Sequence, residues 1–194
     1  MLIFAIIIIL GLIFYPYIFM LISNGKMLSK LRRIAERQAY RIIPLRKFLW
    51  LPKHNSGGYD FLIDGRGQVM AVKLVSAVHK NFLIIRTDSS ATASSIAREP
   101  MEIHSGKKEN KKWNAMGKPI KISEIKENFN TTQGKIVEKT LLVYPPFAKI
   151  IFFDGKTEAE LHSGDTVFSH TIYTPYGLEQ KMCASSKALP SSND

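Results

Sequence analysis

The sequence has little cysteine, with Cys183 the only one among 194 residues. A single cysteine excludes an internal disulfide, and this usage is typical of a reducing compartment. We interpret Cys183 as an inert thiol. Acidic residues are also scarce, because 16 of them face 27 Lys and Arg, which leaves a formal net charge of +11. This balance favours acidic partners, namely nucleic acid or an anionic membrane surface.

Signatures of several enzyme classes are missing as well. The five histidines include no pair at the spacing of a zinc-binding helix, and no cysteine stands near them to complete a zinc site. The glycine-rich patterns that bind phosphates or dinucleotides are absent too. His, Ser and Asp occur together in HSGD at residues 162–165, but a catalytic triad is assembled in space. We therefore interpret that segment as a turn between two strands.

Charge is absent from the first 25 residues, since Lys26 is the first charged side chain. Residues 2–23 read LIFAIIIILGLIFYPYIFMLIS. About 21 helical residues rise roughly 31 Å, close to the hydrocarbon thickness of a bilayer. A cleaved signal peptide is the alternative, but its basic start, shorter apolar core and small-residue cleavage site are not clear here. The run therefore predicts a single transmembrane anchor over residues 1–23.

A basic segment, residues 24–47, follows the predicted anchor. It holds eight Lys and Arg and one acid, Glu36. Lys and Arg beside a membrane span are retained on the cytoplasmic side. We therefore expect a single-pass protein of the cell membrane whose C-terminal domain is cytoplasmic. Asn24 is positioned to cap a helix in this segment, and the helix should stop before Pro44.

Five cations of this segment recur at helical spacing and form one predicted stripe: Lys26, Lys30, Arg33, Arg37 and Arg41. The plain interpretation is a solvated face combined with a topology signal. The sharper interpretation is contact with anionic lipid headgroups, which contributes about 1 kcal/mol per basic residue near the surface. Both can hold together, so anionic lipid is a predicted partner of these five side chains.

Residues 48–183 are predicted to form one cytoplasmic α+β domain with a mainly antiparallel sheet. Three strands, YDFLI, QVMAVKLVSA and FLIIRT, are joined by short links, so we expect an antiparallel meander. Gly65 and Gly67 should supply the positive φ that the first turn requires. A short helix capped by Ser123 is predicted over residues 122–129. A second set of strands is predicted between residues 139 and 174, and a disordered tail over residues 184–194.

The segment GKKENKKWNAMGKP, residues 106–119, is rich in lysine and polar residues. We interpret it as an exposed loop. With Trp113 it could bind single-stranded nucleic acid through charge and stacking. A solvated loop is the preferred interpretation, so nucleic acid stays the secondary alternative among the partners.

The segment YDFLIDGRGQVMAVKL places Asp60 at the start of one predicted strand and Lys73 inside the next. With Glu36 in a preceding helix, this order resembles the restriction-endonuclease-like core with its PD-(D/E)XK motif, particularly the nuclease-related domains tethered to bacterial membranes. The resemblance covers residues 30–90. It implies a metal-dependent nuclease acting on DNA or RNA, with Mg as cofactor and Asp60, Lys73 and Glu36 as catalytic residues. Ala71 stands where the second acid belongs, and an alanine cannot bind a metal ion.

Two functions follow from these patterns. The preferred one is a non-catalytic interaction or scaffolding domain at the membrane, without a cofactor and with a protein partner that no motif identifies. The alternative is a membrane-tethered nuclease of the degenerate PD-(D/E)XK type, in which Asp64, Asp88 or Glu36 replaces the missing acid. An ion pair explains Asp60 beside Lys73 as well as a metal site does. Acids clustered within metal reach of Lys73 would favour the enzyme.

Overall fold

The computed structural model describes residues 2–47, 58–65, 67–75, 82–87, 101–109, 112–121, 125–127, 129, 135–144, 149–153 and 157–187. Within these ranges the side chains of residues 2–10, and most of those between 82 and 121, are also outside the description. The described residues form two helices, α1 (Leu2–Arg37) and α2 (Pro175–Lys187), and eleven strands. The strands are β1 (Arg41–Pro44), β2 (Phe61–Gly65), β3 (Gln68–Val75), β4 (Phe82–Thr87), β5 (Met101–Glu109), β6 (Lys112–Lys121), β7 (Ile136–Val143), β8 (Lys149–Phe153), β9 (Glu158–Leu161), β10 (Thr166–Val167) and β11 (His170–Tyr173).

Helix α1 runs without a break through the predicted anchor and into the basic segment. Its second half is amphipathic, because Met27, Leu31 and Ile34 are buried at helical spacing while the cations between them are exposed. Asn24 does not cap this helix. It lies inside α1, on the same buried face, so the predicted helix start at this residue is wrong.

The end of α1 also differs from the prediction, in which the helix of the basic segment, residues 24–47, runs from Asn24 to just before Pro44. The N–H of Tyr40 donates to the carbonyl of Ala35 at 2.8 Å, and Ala39 adopts a left-handed φ of 57°. This is a Schellman-type cap, and it terminates the helix at Arg37. The chain then reverses into β1, so Arg41 lies on a strand.

A six-stranded sheet lies at the centre of the fold, in the order β1-β2-β3-β7-β11-β10. Strand β7 pairs in parallel with β3 on one side and with β11 on the other, and the remaining neighbours are antiparallel. Helices α1 and α2 cover one face of this sheet, where Leu31 and Leu178 pack into a cluster with Phe61, Met70 and Leu142. The helices therefore form the outer layer on that side.

A five-stranded sheet covers the opposite face, in the order β6-β5-β4-β8-β9. Its one parallel pair among the described strands is β4 with β8. A shared apolar cluster joins the two sheets, with Leu141 and Ile172 contributed by the central sheet and Ile85, Ile103 and Ile150 by the second. The domain thus has three layers, one of helices and two of strands.

The predicted β2–β3 hairpin is confirmed, with Gly65 paired to Gln68 across the turn. Gly67 has the expected positive φ, at 77°. Gly65 serves another purpose, because a Cβ there would stand 2.6 Å from Cδ1 of Tyr40 and 3.0 Å from the carbonyl oxygen of Ala39. Its lack of a side chain lets the end of α1 pack against the hairpin.

The α+β class is confirmed, and antiparallel pairs predominate among the described strands. The three-strand meander is wrong, since β4 leaves β3 and joins the second sheet. The predicted loop over residues 106–119 is also wrong, because β5 and β6 form a hairpin there. Lys126 makes a bridge with Gly58, and residues 125–127 are not helical, contrary to the predicted helix.

The C-terminal end of the described chain is helical further than predicted, since residues 184–187 belong to α2 and the rest of the predicted tail lies outside the described residues. At the other end, the described part of the chain holds no helix that is both long and apolar enough to cross a membrane. The side chains of residues 2–10, which carry much of the predicted anchor, lie outside the described residues.

Candidate functional site

Asp60 and Lys73, the two residues of the predicted nuclease motif, lie next to each other. Asp60 directly precedes β2, and the pairing of Phe61 with Val72 places it opposite Lys73. Lys73 Nζ lies 3.9 Å from Asp60 Oδ2, and the two side chains are 1% and 2% exposed. The pair is therefore sealed inside the domain, on the face of the central sheet that looks toward the second sheet.

Both oxygens of the Asp60 carboxylate have further partners. Oδ2 accepts the backbone N–H of Leu74 at 2.7 Å, and Oδ1 lies 2.6 Å from Nε of Arg46. Lys73 Nζ donates to the carbonyl oxygen of Gly58 at 2.9 Å. The carboxylate thus connects the chain after β1 to β3, and the ammonium holds the segment that leads into β2.

The electrostatics of this cluster are dominated by burial. Desolvation lowers the pKa of Lys73, the nearby charge of Asp60 raises it in part, and the charge of Arg46 lowers it again. Two cations share one carboxylate, and Lys73 is the fully buried one. Removal of Asp60 would take an ion-pair partner away from each of them.

The other acids considered for the motif do not join this pair. Glu36 is exposed on α1, and α1 packs on the opposite face of the central sheet. Asp64 lies 2.5 Å from Nζ of Lys135, and Asp88 is outside the described residues. Ala71 is fully buried in a cluster with Tyr59, Leu62 and Val69. Within the described ranges, no three His, Cys, Asp or Glu side chains stand close enough together to hold a metal ion.

A second buried polar pair, Tyr59 with His170, lies beside this cluster. His170 Nδ1 is 3.0 Å from the carbonyl oxygen of Phe168, which can only accept, so Nδ1 carries the proton. Nε2 then accepts the hydroxyl proton of Tyr59 at 3.0 Å. Burial lowers the pKa of His170 and raises that of Tyr59, so both groups are held neutral.

The cations of the predicted lipid-binding stripe are exposed, but they do not form one helical row. Lys26, Lys30, Arg33 and Arg37 lie on α1, whereas Arg41 lies on β1. Lys30 Nζ also lies 3.1 Å from the Glu179 carboxylate on α2. The stripe therefore has four helical members, one of which is paired inside the protein.

The described side chains in the first half of α1 are exposed. Large apolar side chains there are 47% to 65% exposed: Ile13, Phe14, Tyr15, Ile18, Phe19 and Ile22. They point in several directions around the helix axis, because they include three consecutive residues. Asn24 is the first described side chain along α1 that is buried.

The chain matches no protein-family model, and comparison with curated proteins and with solved structures finds no significant match. The resemblance to nuclease-related domains therefore stays a prediction based on Asp60, Lys73 and Glu36.

Sequence reasoning missed three residues of the buried clusters. Arg46 fell in the basic segment just after the predicted helix end at Pro44, where a cation was interpreted as part of the topology signal. Tyr59 lies at the start of the predicted strand YDFLI, but no local pattern indicated that its hydroxyl has a buried polar partner. His170 has no local signal, because its partner Tyr59 precedes it by 111 residues.

Proposed function

We propose that this chain is a single-pass membrane protein whose cytoplasmic α+β domain has a non-catalytic interaction or scaffolding role. The observation that carries the proposal is the contrast along α1. Its first half is free of charge and exposes large apolar side chains, and its second half packs into the domain. Apolar surface of this size on a helix marks a contact with lipid or with another protein. An uncharged run of this length favours lipid.

The cations next to this apolar half support the orientation. Eight Lys and Arg follow the uncharged run within residues 26–47, against one acid. Such a bias keeps the domain on the cytoplasmic side. The exposed cations Lys26, Arg33, Arg37 and Arg41 contact anionic headgroups, with Lys30 contributing less because it pairs with Glu179.

Membrane insertion and orientation are tested on the full chain in its host membrane. Alkaline extraction should leave the protein in the membrane pellet. Protease added to sealed cells should leave the domain intact, and the same protease should digest it in inverted vesicles. Release at alkaline pH would contradict the anchor, and digestion from outside would contradict the orientation.

The nuclease is the second candidate, and the proximity of Asp60 to Lys73 favours it. Against it, the Asp60 carboxylate is engaged by Leu74 and Arg46 and is closed off from water. The test is cleavage of DNA and RNA by the full chain with magnesium or manganese, in wild type and Lys73→Ala. Cleavage that is lost in Lys73→Ala would establish the nuclease, and would mean that the second acid has moved from position 71.

A further inference from the structure

A groove of about 320 Å³ opens between the second half of α1 and strand β1. Its walls combine apolar or small residues with two cations: Gly25, Leu28, Arg32, Ile42, Pro44 and Lys47. Neither cation belongs to the stripe predicted from the sequence. The groove exists because the chain turns at the end of α1 and brings β1 back alongside the helix.

The charge of the groove favours an anion. Arg32 and Lys47 line it, and no described lining residue is acidic. Arg32 is exposed and makes no hydrogen bond or ion pair with any described residue. Lys30, two residues earlier on the same helix, differs from Arg32 because it forms an ion pair with Glu179. A phosphate group fits a guanidinium beside an ammonium, both of which donate charge-assisted hydrogen bonds.

The position of the groove favours a lipid. Gly25 directly follows the uncharged run, and Arg32 lies about 14 Å further along the helix than Ser23. Helical side chains lean toward the N-terminus, so the Arg32 side chain reaches back toward the predicted bilayer. Leu28 lies about 8 Å beyond Ser23, at the depth of the headgroups of the predicted bilayer, and it lines the groove with Arg32.

The geometry points to an anionic glycerophospholipid as the occupant of this groove, with its phosphate between Arg32 and Lys47 and its glycerol end against Leu28 and Ile42. This inference rests on the proposed membrane anchor and adds a specific site to it. The exposed stripe attracts any anionic surface, whereas the groove recognises one headgroup together with the apolar part next to it. Free phosphate would use the two cations alone and leave the apolar wall in water.

Binding is measured on the full chain, stripped of lipid in mild detergent. Soluble short-chain phosphatidylglycerol, phosphatidylcholine and inorganic phosphate are titrated separately, with occupancy read by native mass spectrometry. Phosphatidylglycerol should bind tightest. The double variant Arg32→Gln, Lys47→Gln should bind it about tenfold more weakly, the loss expected when charge-assisted contacts to a phosphate are removed.

The matched control removes the same charge outside the groove. Lys139→Gln with Lys149→Gln changes two cations of β7 and β8 that belong neither to the groove nor to the stripe. This pair should change the affinity by less than about threefold, because exposed charges act weakly and are screened by salt. Equal weakening by both pairs, or equal binding of phosphatidylcholine, would overturn the inference. Phosphate that binds as tightly as the lipid would also overturn it, since the site would then hold an anion only.

Gly25→Leu provides a test that leaves the charges in place. Gly25 lines the groove, and a Cβ there meets no atom within 4 Å, so a side chain can be added without a clash at its first atom. Leucine also favours the helix over glycine. The melting temperature should hold or rise while phosphatidylglycerol binding falls, and undiminished binding would count against the groove. Alkaline extraction tests the anchor separately. If the chain is extracted at alkaline pH but still binds phosphatidylglycerol selectively, the membrane anchor is refuted and the lipid site in the groove is supported.

Discussion

Buried polar groups lie on both faces of the central sheet, but the two faces differ in whether these groups have hydrogen-bond partners. Toward the second sheet, Asp60, Lys73 and the Tyr59–His170 pair all have polar partners. Toward the helices, Asn24 and Thr140 are fully buried, and their side-chain polar atoms have no hydrogen-bond partner among the described residues. Groups that are equally buried therefore differ in whether a hydrogen bond offsets the cost of their desolvation.

The difference shows that the partner set decides what a buried polar group contributes. A buried charge with good partners contributes little net stability. Removing one partner of a buried ion pair nevertheless destabilises the protein strongly, because the other charge stays buried. A buried amide or hydroxyl without a partner has lost its hydrogen bonds to water and forms none in the protein. An apolar replacement should therefore stabilise the protein. The stability of variants on the two faces tests this difference.

The largest effect should come from Asp60→Ala. It would take the shared carboxylate away from the buried Lys73 and from Arg46, and lower the free energy of unfolding by about 3–5 kcal/mol. Asp64→Ala is the matched control on the same hairpin, because its ion pair with Lys135 is partly exposed and should contribute about 1 kcal/mol or less. Urea unfolding of the full chain in mild detergent measures both.

Addition of Lys73→Met to Asp60→Ala tests the pair further, since it also removes the buried ammonium. The double variant should be more stable than Asp60→Ala alone, with a coupling of about 0.5–3 kcal/mol. Additive losses would mean that the carboxylate and the ammonium do not act as a unit.

Asn24→Leu should act in the opposite direction. It removes an amide without partners from the buried face of α1 and should raise the free energy of unfolding by about 1–3 kcal/mol. Ser23→Ala next to it should be destabilising, because the Ser23 hydroxyl lies 2.5 Å from that of Tyr144. A lower melting temperature for Asn24→Leu would show that the amide has a partner in the assembled protein.

Thr140→Val should be stabilising by about 1 kcal/mol, for the same reason and with nearly unchanged shape. Thr171→Val is the control on the neighbouring strand, since the Thr171 hydroxyl lies 3.5 Å from that of Thr166 and is not fully buried. Differential scanning fluorimetry of the two variants separates a buried hydroxyl from a partly solvated one. Similar shifts in both would contradict the distinction.

The smallest effect at neutral pH should come from His170, whose folded-state pKa is lowered by burial. The unfolded chain therefore binds a proton first, and the stability due to the neutral imidazole is lost as pH falls below about 6.5 toward the folded-state pKa. His170→Gln should flatten this part of the profile. A variant profile parallel to that of wild type between pH 7 and pH 5 would assign the acid sensitivity to other groups.

Local features of the fold could be predicted, because the residues that determine them are adjacent in sequence. The β2–β3 hairpin follows from its turn and from the alternation around it, and the same register brings Asp60 opposite Lys73. Helix α2 carried a signal that was missed. Thr174 caps it by accepting the N–H of Gly177 at 3.2 Å, and Pro175 occupies the first helical position.

The features that sequence reasoning missed depend on distant partners or on unusual residues. Strand β4 joins the second sheet because it pairs with β8, which a short link after β3 does not reveal. Helix α1 ends with alanine in the left-handed conformation, where glycine is the usual signal. The groove at Arg32 and Lys47 depends on that same chain reversal, so the sequence pattern pointed to the stripe on α1 alone.

The parallel pairing of β7 between β3 and β11 has a consequence for how the chain reaches its fold. The inner face of α1 packs against Leu142, Tyr173 and Leu178, all of which are translated more than a hundred residues after it. A topology dominated by such long-range contacts folds slowly, and its apolar surfaces stay open until the last strand arrives. We expect ribosome-bound chains that stop before β11 to be protease-sensitive, and the domain to gain its resistance in one step once α2 has emerged.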